Sequence, residues 1–247
     1  MNFLINIIKQ SSLSSILFFI MLSAGPALIW LFICLWLDRK QPEPKKQIIK
    51  TFFIGMVATI PLLFIAGFLS SFVKAINLST LLSILALSFL IDGLVEELAK
   101  YIILRVSVVK FHYFDELRDG LIYGMVLGLG LAFIENILYG LVAGVVKGAS
   151  LVLLRGFSTT LLHFLTGGII GYFITLAVVS PYKRGKYMSY LGFLIAILAH
   201  GGYNVVTRLG LTWPIMGPIF LLVITYYYIF NHLHLNQLSS KVPGRNL

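Results

Sequence analysis

Glu96 and Glu97 are adjacent, and Lys100 follows one helical turn later, inside the apolar run SFLIDGLVEELAKYIILR. A charged side chain at the centre of a bilayer is unfavourable by roughly 2.5–3.5 kcal/mol on insertion scales. Such a group persists in a membrane segment when it faces a cavity lined by protein, and it then marks a candidate site. Lys100 lies four residues from Glu96 and three from Glu97, so its ammonium can reach either carboxylate on a helix. Two carboxylates at short range force one to hold a proton. A neighbouring ammonium relaxes that demand, and can leave one carboxylate ready to take a proton from water, which is general-base chemistry.

The other polar groups within apolar stretches follow the same grouping. Asp92, Glu135, Asn136, Arg155, His163, His200 and Asn204 fall in the third to sixth such stretches, and the remaining stretches hold almost none. Scattered, tolerated polar residues would not concentrate in four consecutive segments, so one shared and partly hydrated interior site is expected. His200 and Asn204 are one turn apart. Arg155, Thr159, His163, Gly167 and Gly171 recur every four residues, with Thr166 beside them. Gly120, Gly124, Gly128, Ala132, Asn136, Gly140 and Gly144 do the same in the stretch before. Small residues at that spacing let helices approach closely in lipid, which is a packing signal. Glu135 and Asn136 interrupt the run beside that stripe, and so face the packed interior.

These residues must be positioned by transmembrane helices. The 247-residue chain is 59% hydrophobic and 11% charged, with a mean hydropathy of +0.95, whereas soluble domains carry about 25% charged residues. Apolar stretches at 13–37, 51–72, 80–109, 119–146, 151–180, 188–206 and 214–233 predict seven spans. The fold class is an all-α polytopic transmembrane bundle. It forms one integral membrane domain over 1–247, with the active-site core at about 80–206. The first stretch is too long for a signal-peptide core and is expected to be retained. The start MNFLINIIKQ is amphipathic, over a short pattern. With the amino terminus outside, the cytoplasmic loops and tail receive 12 basic residues and the outer loops 4. That asymmetry puts the carboxyl terminus in the cytoplasm. The net charge of +10 is spread between spans, with no basic tail or recognition helix, so no nucleic-acid partner is expected. A single cysteine, Cys34, excludes an intrachain disulfide.

The motifs E-E-x-x-K at 96–100, A-x-x-E-N-I-L-Y at 132–139, H-x-x-x-G-G at 163–168 and H-x-x-x-N at 200–204 each sit on their own span. Together they resemble the PrsW family of bacterial intramembrane proteases. The loop DRKQPEPKK and the D-G-x-x-Y-G opening at 119–124 fit as well. One departure is Leu131, where relatives usually carry phenylalanine. The likeness to CAAX-protease-like membrane proteins is more distant, since those favour E-E-x-x-x-R and a histidine at the position of Glu135. The resemblance implies a multi-pass protein of the cell membrane that cleaves a transmembrane protein, typically a single-span anti-sigma factor. Under it, Glu96 or Glu97 acts as base on a water oriented by His163. His200 and Asn204 donate to the developing oxyanion, Lys100 tunes the glutamate pair, and Glu135 with Asn136 orients the histidines. A metal-free mechanism is the first expectation. Zinc is the alternative, with Glu96, Glu97, Glu135, His163 and His200 as the available ligands.

Two other classes fit parts of the pattern. A proton-coupled transporter also buries Glu, His and Lys near the midplane, but usually as two related halves, and no internal repeat is evident here. A membrane scaffold explains the glycine stripes and leaves two glutamates and two histidines without a reason.

Overall fold

The computed structural model describes residues 11–39, 41–110, 116–179, 184–211 and 216–235. The amphipathic start and the bases Lys40, Lys183, Lys241 and Arg245 lie outside them. No β-strand occurs among the described residues. The helices are α1 (Leu13–Leu37), α2 (Lys45–Ala75), α3 (80–108), α4 (Leu117–Ala143), α5 (Val145–Phe157), α6 (Thr159–Val179), α7 (Arg184–Arg208) and α8 (Met216–Leu235). Five helical segments are long and apolar enough to cross a membrane: Leu13–Leu37, Lys45–Ala75, Leu117–Ala143, Val145–Val178 and Tyr187–Arg208.

Local sequence accounts for the boundaries. The Ser12 side chain accepts from the Ser15 N–H and caps α1. Helix α2 starts at Lys45 rather than 51, because Pro44 has no N–H to lose at a helix entry and the chain continues helical from there. Glu116 and Asp119 form a reciprocal capping box at the start of α4. Gly144, at φ 76°, ends that helix in a conformation that side-chain-bearing residues resist. The stretch read as one span at 151–180 is helical from 145 and breaks at Ser158, where α5 gives way to α6. Helix α3 is continuous but winds wider over two π-helical segments, Ala86–Gly93 and Leu104–Val108. Such turns are rare and frequently lie at functional sites.

Helix α4 is the hub: 19 of its 27 residues are buried, against 5 of 25 in α1 and 5 of 31 in α2. Its glycine stripe meets α6 backbone to backbone. A Cβ added at Gly124 would fall 2.1 Å from the Gly167 carbonyl oxygen, and one at Gly128 would fall 2.1 Å from that of His163. Gly130 and Gly55 give the same close approach between α4 and α2. The outer faces of α1 and α2 expose Met21, Phe32, Phe53 and Phe68, as surfaces facing hydrocarbon should.

Candidate active site

Around the hub, α3, α6 and α7 bring Glu96, His163 and His200 together. The Glu96 Oε2 atom lies 3.9 Å from His163 Nε2 and 3.8 Å from His200 Nε2. The two imidazoles stand edge to face, with centroids 5.0 Å apart. One ligand atom from each of the three residues falls within 4.8 Å of the others.

Glu97 does something different from its neighbour. Its Oε1 accepts from Lys100 Nζ at 2.7 Å, from the Thr166 hydroxyl at 3.2 Å and from His200 Nδ1 at 2.6 Å. A carboxylate receiving the Nδ1 proton fixes the tautomer and leaves the Nε2 lone pair facing Glu96. Glu97 and Lys100 are wholly buried, so removing either would strand a charge. Of the two adjacent carboxylates, Lys100 thus pairs with Glu97. Glu96 points instead at the imidazoles.

Helix α4 contributes Glu135, whose Oε2 lies 3.3 Å from His163 Nε2 and 3.0 Å from the Arg155 guanidinium. Arg155 also donates from Nε to Asn136 Oδ1, and stacks 3.8 Å from the centre of the Tyr139 ring. Asn136 Nδ2 donates onward to Thr160. Asn136 thus links Arg155 to α6. Asn204 Nδ2 donates to Asp92 at 3.0 Å, and Arg208 bridges Asp92 and Ser88. The Asn204 amide is committed to this cluster, although the residue lines the same cavity as His200.

That cavity has a volume of about 390 Å³. Glu96, Glu135 and His200 form its chemical wall, Tyr139, Leu151, Leu154 and Tyr203 its apolar wall, and Asp92, Asn204 and Arg208 its rim. Sequence reasoning passed over Arg208 as a loop base. Its spacing of eight from His200 and four from Asn204 puts it on the same helical face, which is the signal that was available. It also left Asp92 without a role and without a partner.

Whether a metal fits can be judged from the donors themselves. Glu96 Oε2 and both ring nitrogens of His163 are buried without a hydrogen-bond partner among the described residues, and orphaned buried polar atoms call for an explanation. Zinc takes nitrogen and oxygen donors at about 2.0–2.1 Å, which sets tetrahedral donors about 3.4 Å apart. The spacings of 3.8 and 3.9 Å lie about half an ångström beyond that, and the histidine–histidine pair lies within 4.8 Å. The set of two imidazoles and one carboxylate is that of a hydrolytic zinc site. Glu96, His163 and His200 are thus a donor set that could hold the ion.

Comparison with known proteins agrees with the geometry. Residues 43–231 match the model of the "PrsW family intramembrane metalloprotease". The Protease PrsW of Bacillus subtilis (strain 168) is 31% identical over 198 residues, covering 79% of this chain and 86% of that protein. The Protease PrsW of Clostridioides difficile (strain 630) is 30% identical over 226 residues, covering 89% and 90%. A third, from Oceanobacillus iheyensis, is 33% identical over 189 residues, covering 76% and 82%. No solved structure matches. The matched region contains every residue of the cluster, and the chain belongs to the PrsW family of intramembrane proteases.

Proposed function

We propose that this multi-pass membrane protease hydrolyses a peptide bond of a single-span membrane protein, such as an anti-sigma factor, at the Glu96–His163–His200 cluster, with zinc held by those three residues. The observation that carries this reading is the convergence of three ligand atoms within 4.8 Å, where Glu96 Oε2 and the ring nitrogens of His163 have no hydrogen-bond partner among the described residues. It turns the balance from the metal-free expectation to the zinc alternative, and the family's description as metalloproteases points the same way.

Bound zinc supplies a Lewis acid for the scissile carbonyl and a water acidic enough to yield hydroxide near neutral pH. The chain's own residues do the rest. Glu97 accepts the Nδ1 proton of His200 and so keeps Nε2 turned inward, while Lys100 neutralises Glu97 in a dry setting. The base role falls to Glu135 rather than to Glu97, whose Oε1 already receives three donors. Glu135 stands on the cavity wall beside His163, oriented by Arg155. From there it takes a proton from the attacking water and returns it to the departing amine nitrogen. Asn204 and Arg208 line the rim and contact the substrate backbone after exchanging partners with Asp92.

Seven spans with the amino terminus outside remain the topology we favour, with 80–108 and 216–235 as the two spans beyond the five apolar ones. On that topology Asp92, Glu135, Arg155, His200 and Arg208 all lie in the outer halves of their helices. The cavity then opens toward the outside face, and the cut falls near the outer end of the substrate's span. The domain remains single, with its core at about 80–206.

The test is metal analysis of the purified chain, with cleavage of a candidate single-span protein before and after chelation. One zinc per chain, activity lost on stripping and regained with zinc, is expected. Full activity in metal-free protein would return the reaction to a carboxylate-only mechanism. Glu96→Gln and His163→Ala should each lower bound zinc and abolish cleavage while the protein still inserts. Uptake of a solute driven by an ion gradient, without cleavage, would favour the transporter class instead.

A further inference from the structure

We propose that Thr166 is a positioning residue that fixes the coordinating face of His200 through Glu97. The proposal rests on the zinc reading above for its consequence, and on separate geometry for its cause. Thr166 is on α6, three residues after His163, and wholly buried. Its hydroxyl has two strong partners on α3: it accepts from Lys100 Nζ at 2.9 Å and lies 3.2 Å from Glu97 Oε1. A hydroxyl carries one hydrogen, and the alternative acceptor, the His163 carbonyl, is farther at 3.4 Å and uncharged. The hydrogen therefore goes to the carboxylate, and the lone pairs go to the ammonium.

The result is a closed ring of three side chains, Glu97, Lys100 and Thr166, in which each touches the other two. Glu97 alone could adopt several rotamers. Lys100 alone could follow it, since both are on α3. Thr166 is the member anchored to a different helix, so it ties the carboxylate to the framework that carries His163. The same Glu97 oxygen then receives His200 Nδ1 at 2.6 Å. Through Thr166, the imidazoles of α6 and α7 are set relative to one another without touching a common backbone. Valine has nearly the same shape and no hydroxyl, so Thr166→Val isolates the hydrogen bonds from the packing. Serine keeps the hydroxyl and tests rescue.

The experiment uses the full chain, purified in detergent, with zinc affinity read by competition with a chromophoric chelator. The His200 Nδ1–H signal is read separately by nitrogen-15 NMR of histidine-labelled protein, assigned with His200→Gln. Removing an outer partner of a metal-bound histidine typically costs 10–100-fold in affinity, and one step farther out the low end is expected. Thr166→Val should bind zinc about tenfold more weakly, lower kcat about tenfold with KM within twofold, and broaden or shift the hydrogen-bonded Nδ1 signal. Thr166→Ser should restore all three. A merely structural role would lower the yield of folded protein and leave the zinc affinity, kcat and Nδ1 signal of the folded fraction unchanged, and that outcome overturns the proposal. If wild-type protein binds no zinc, the zinc reading fails. The Nδ1 signal and the split between kcat and KM then decide the role of Thr166 on their own. Should Thr166→Val not accumulate, the same comparison runs on Thr166→Ala, which removes the hydroxyl without placing a second methyl group against the Lys100 ammonium.

Discussion

Gly128→Ala gives the sharpest test of how the helices position the chemistry. The added Cβ would sit 2.1 Å from the His163 carbonyl oxygen and 2.7 Å from its carbonyl carbon. Both are backbone atoms, so no side chain can swing away. Restoring ordinary contact requires α6 to back off α4 by about 1 Å at His163 itself, and overpacking of this kind costs about 1–3 kcal/mol. The cluster tolerates far less: metal–donor distances are held to about ±0.2 Å, and a 1 Å misplacement at a catalytic group can cost about 100-fold in rate. The assay is cleavage of a single-span substrate by purified variants, with zinc content and thermal stability measured on the same samples. Gly128→Ala should be folded, moderately destabilised, and about 100-fold slower. Gly120→Ala is the control, because its Cβ would meet the Thr175 hydroxyl at 2.0 Å and the Gly171 carbonyl oxygen at 2.3 Å, about two turns farther along the same interface. It should lose similar stability and much less activity. Equal loss of activity in the two variants, or wild-type activity in Gly128→Ala, would refute the claim that this contact registers His163.

Other outcomes follow from individual contacts. Glu97→Gln should destabilise the protein by about 3–5 kcal/mol by stranding the buried Lys100 ammonium, whereas Glu96→Gln should leave the thermal midpoint of zinc-free protein nearly unchanged; denaturation of chelated samples in detergent separates them, and Glu97→Gln/Lys100→Met should recover most of the loss. Arg155→Lys keeps the charge but not the fork that spans Glu135 and Asn136, so activity should fall well below wild type in a steady-state assay while zinc content is retained. Burial pushes the Asp38 carboxyl, in the α1–α2 connection, up to about 6. The folded protein thus binds the proton more tightly than the unfolded chain, so this group's contribution to stability is present at low pH and is lost as pH rises from about 4 to about 6. Asp38→Asn should flatten that part of a stability profile measured by thermal denaturation between pH 4 and 7.

The polar inventory of the core was legible because charge in an apolar run is expensive and therefore informative. Glu96, Glu97, Glu135, His163 and His200 were all named from that argument, and they meet in space. What spacing on one helix could not resolve was which carboxylate does what. Glu96 and Glu97 differ by about 100° around α3, and only the positions of α6 and α7 decide that one faces the Nε2 atoms of both imidazoles and the other the Nδ1 atom of His200. Asn136 and Asn204 carried the right residue type for an oxyanion donor or a histidine partner. Their amides hydrogen-bond Arg155 and Asp92, from helices whose register cannot be read from one strand of text. The start of α2 was placed late because Lys45, Lys46 and Lys50 obscure a helix that begins in the polar loop. The broken α5–α6 boundary was hidden for the opposite reason, since Ser158 sits in an unbroken apolar pattern.

The pairing of Glu97 with Lys100 within one helix bears on biogenesis. Their contact spans three residues, so it can form as soon as that segment emerges, before α6 and α7 are translated. The translocon then meets a segment with that pair already neutralised. Glu135 is different: its partner Arg155 comes 20 residues later, in the following helix. Those two segments are best delivered to the lipid together, as a hairpin, so that neither ion enters hydrocarbon unaccompanied.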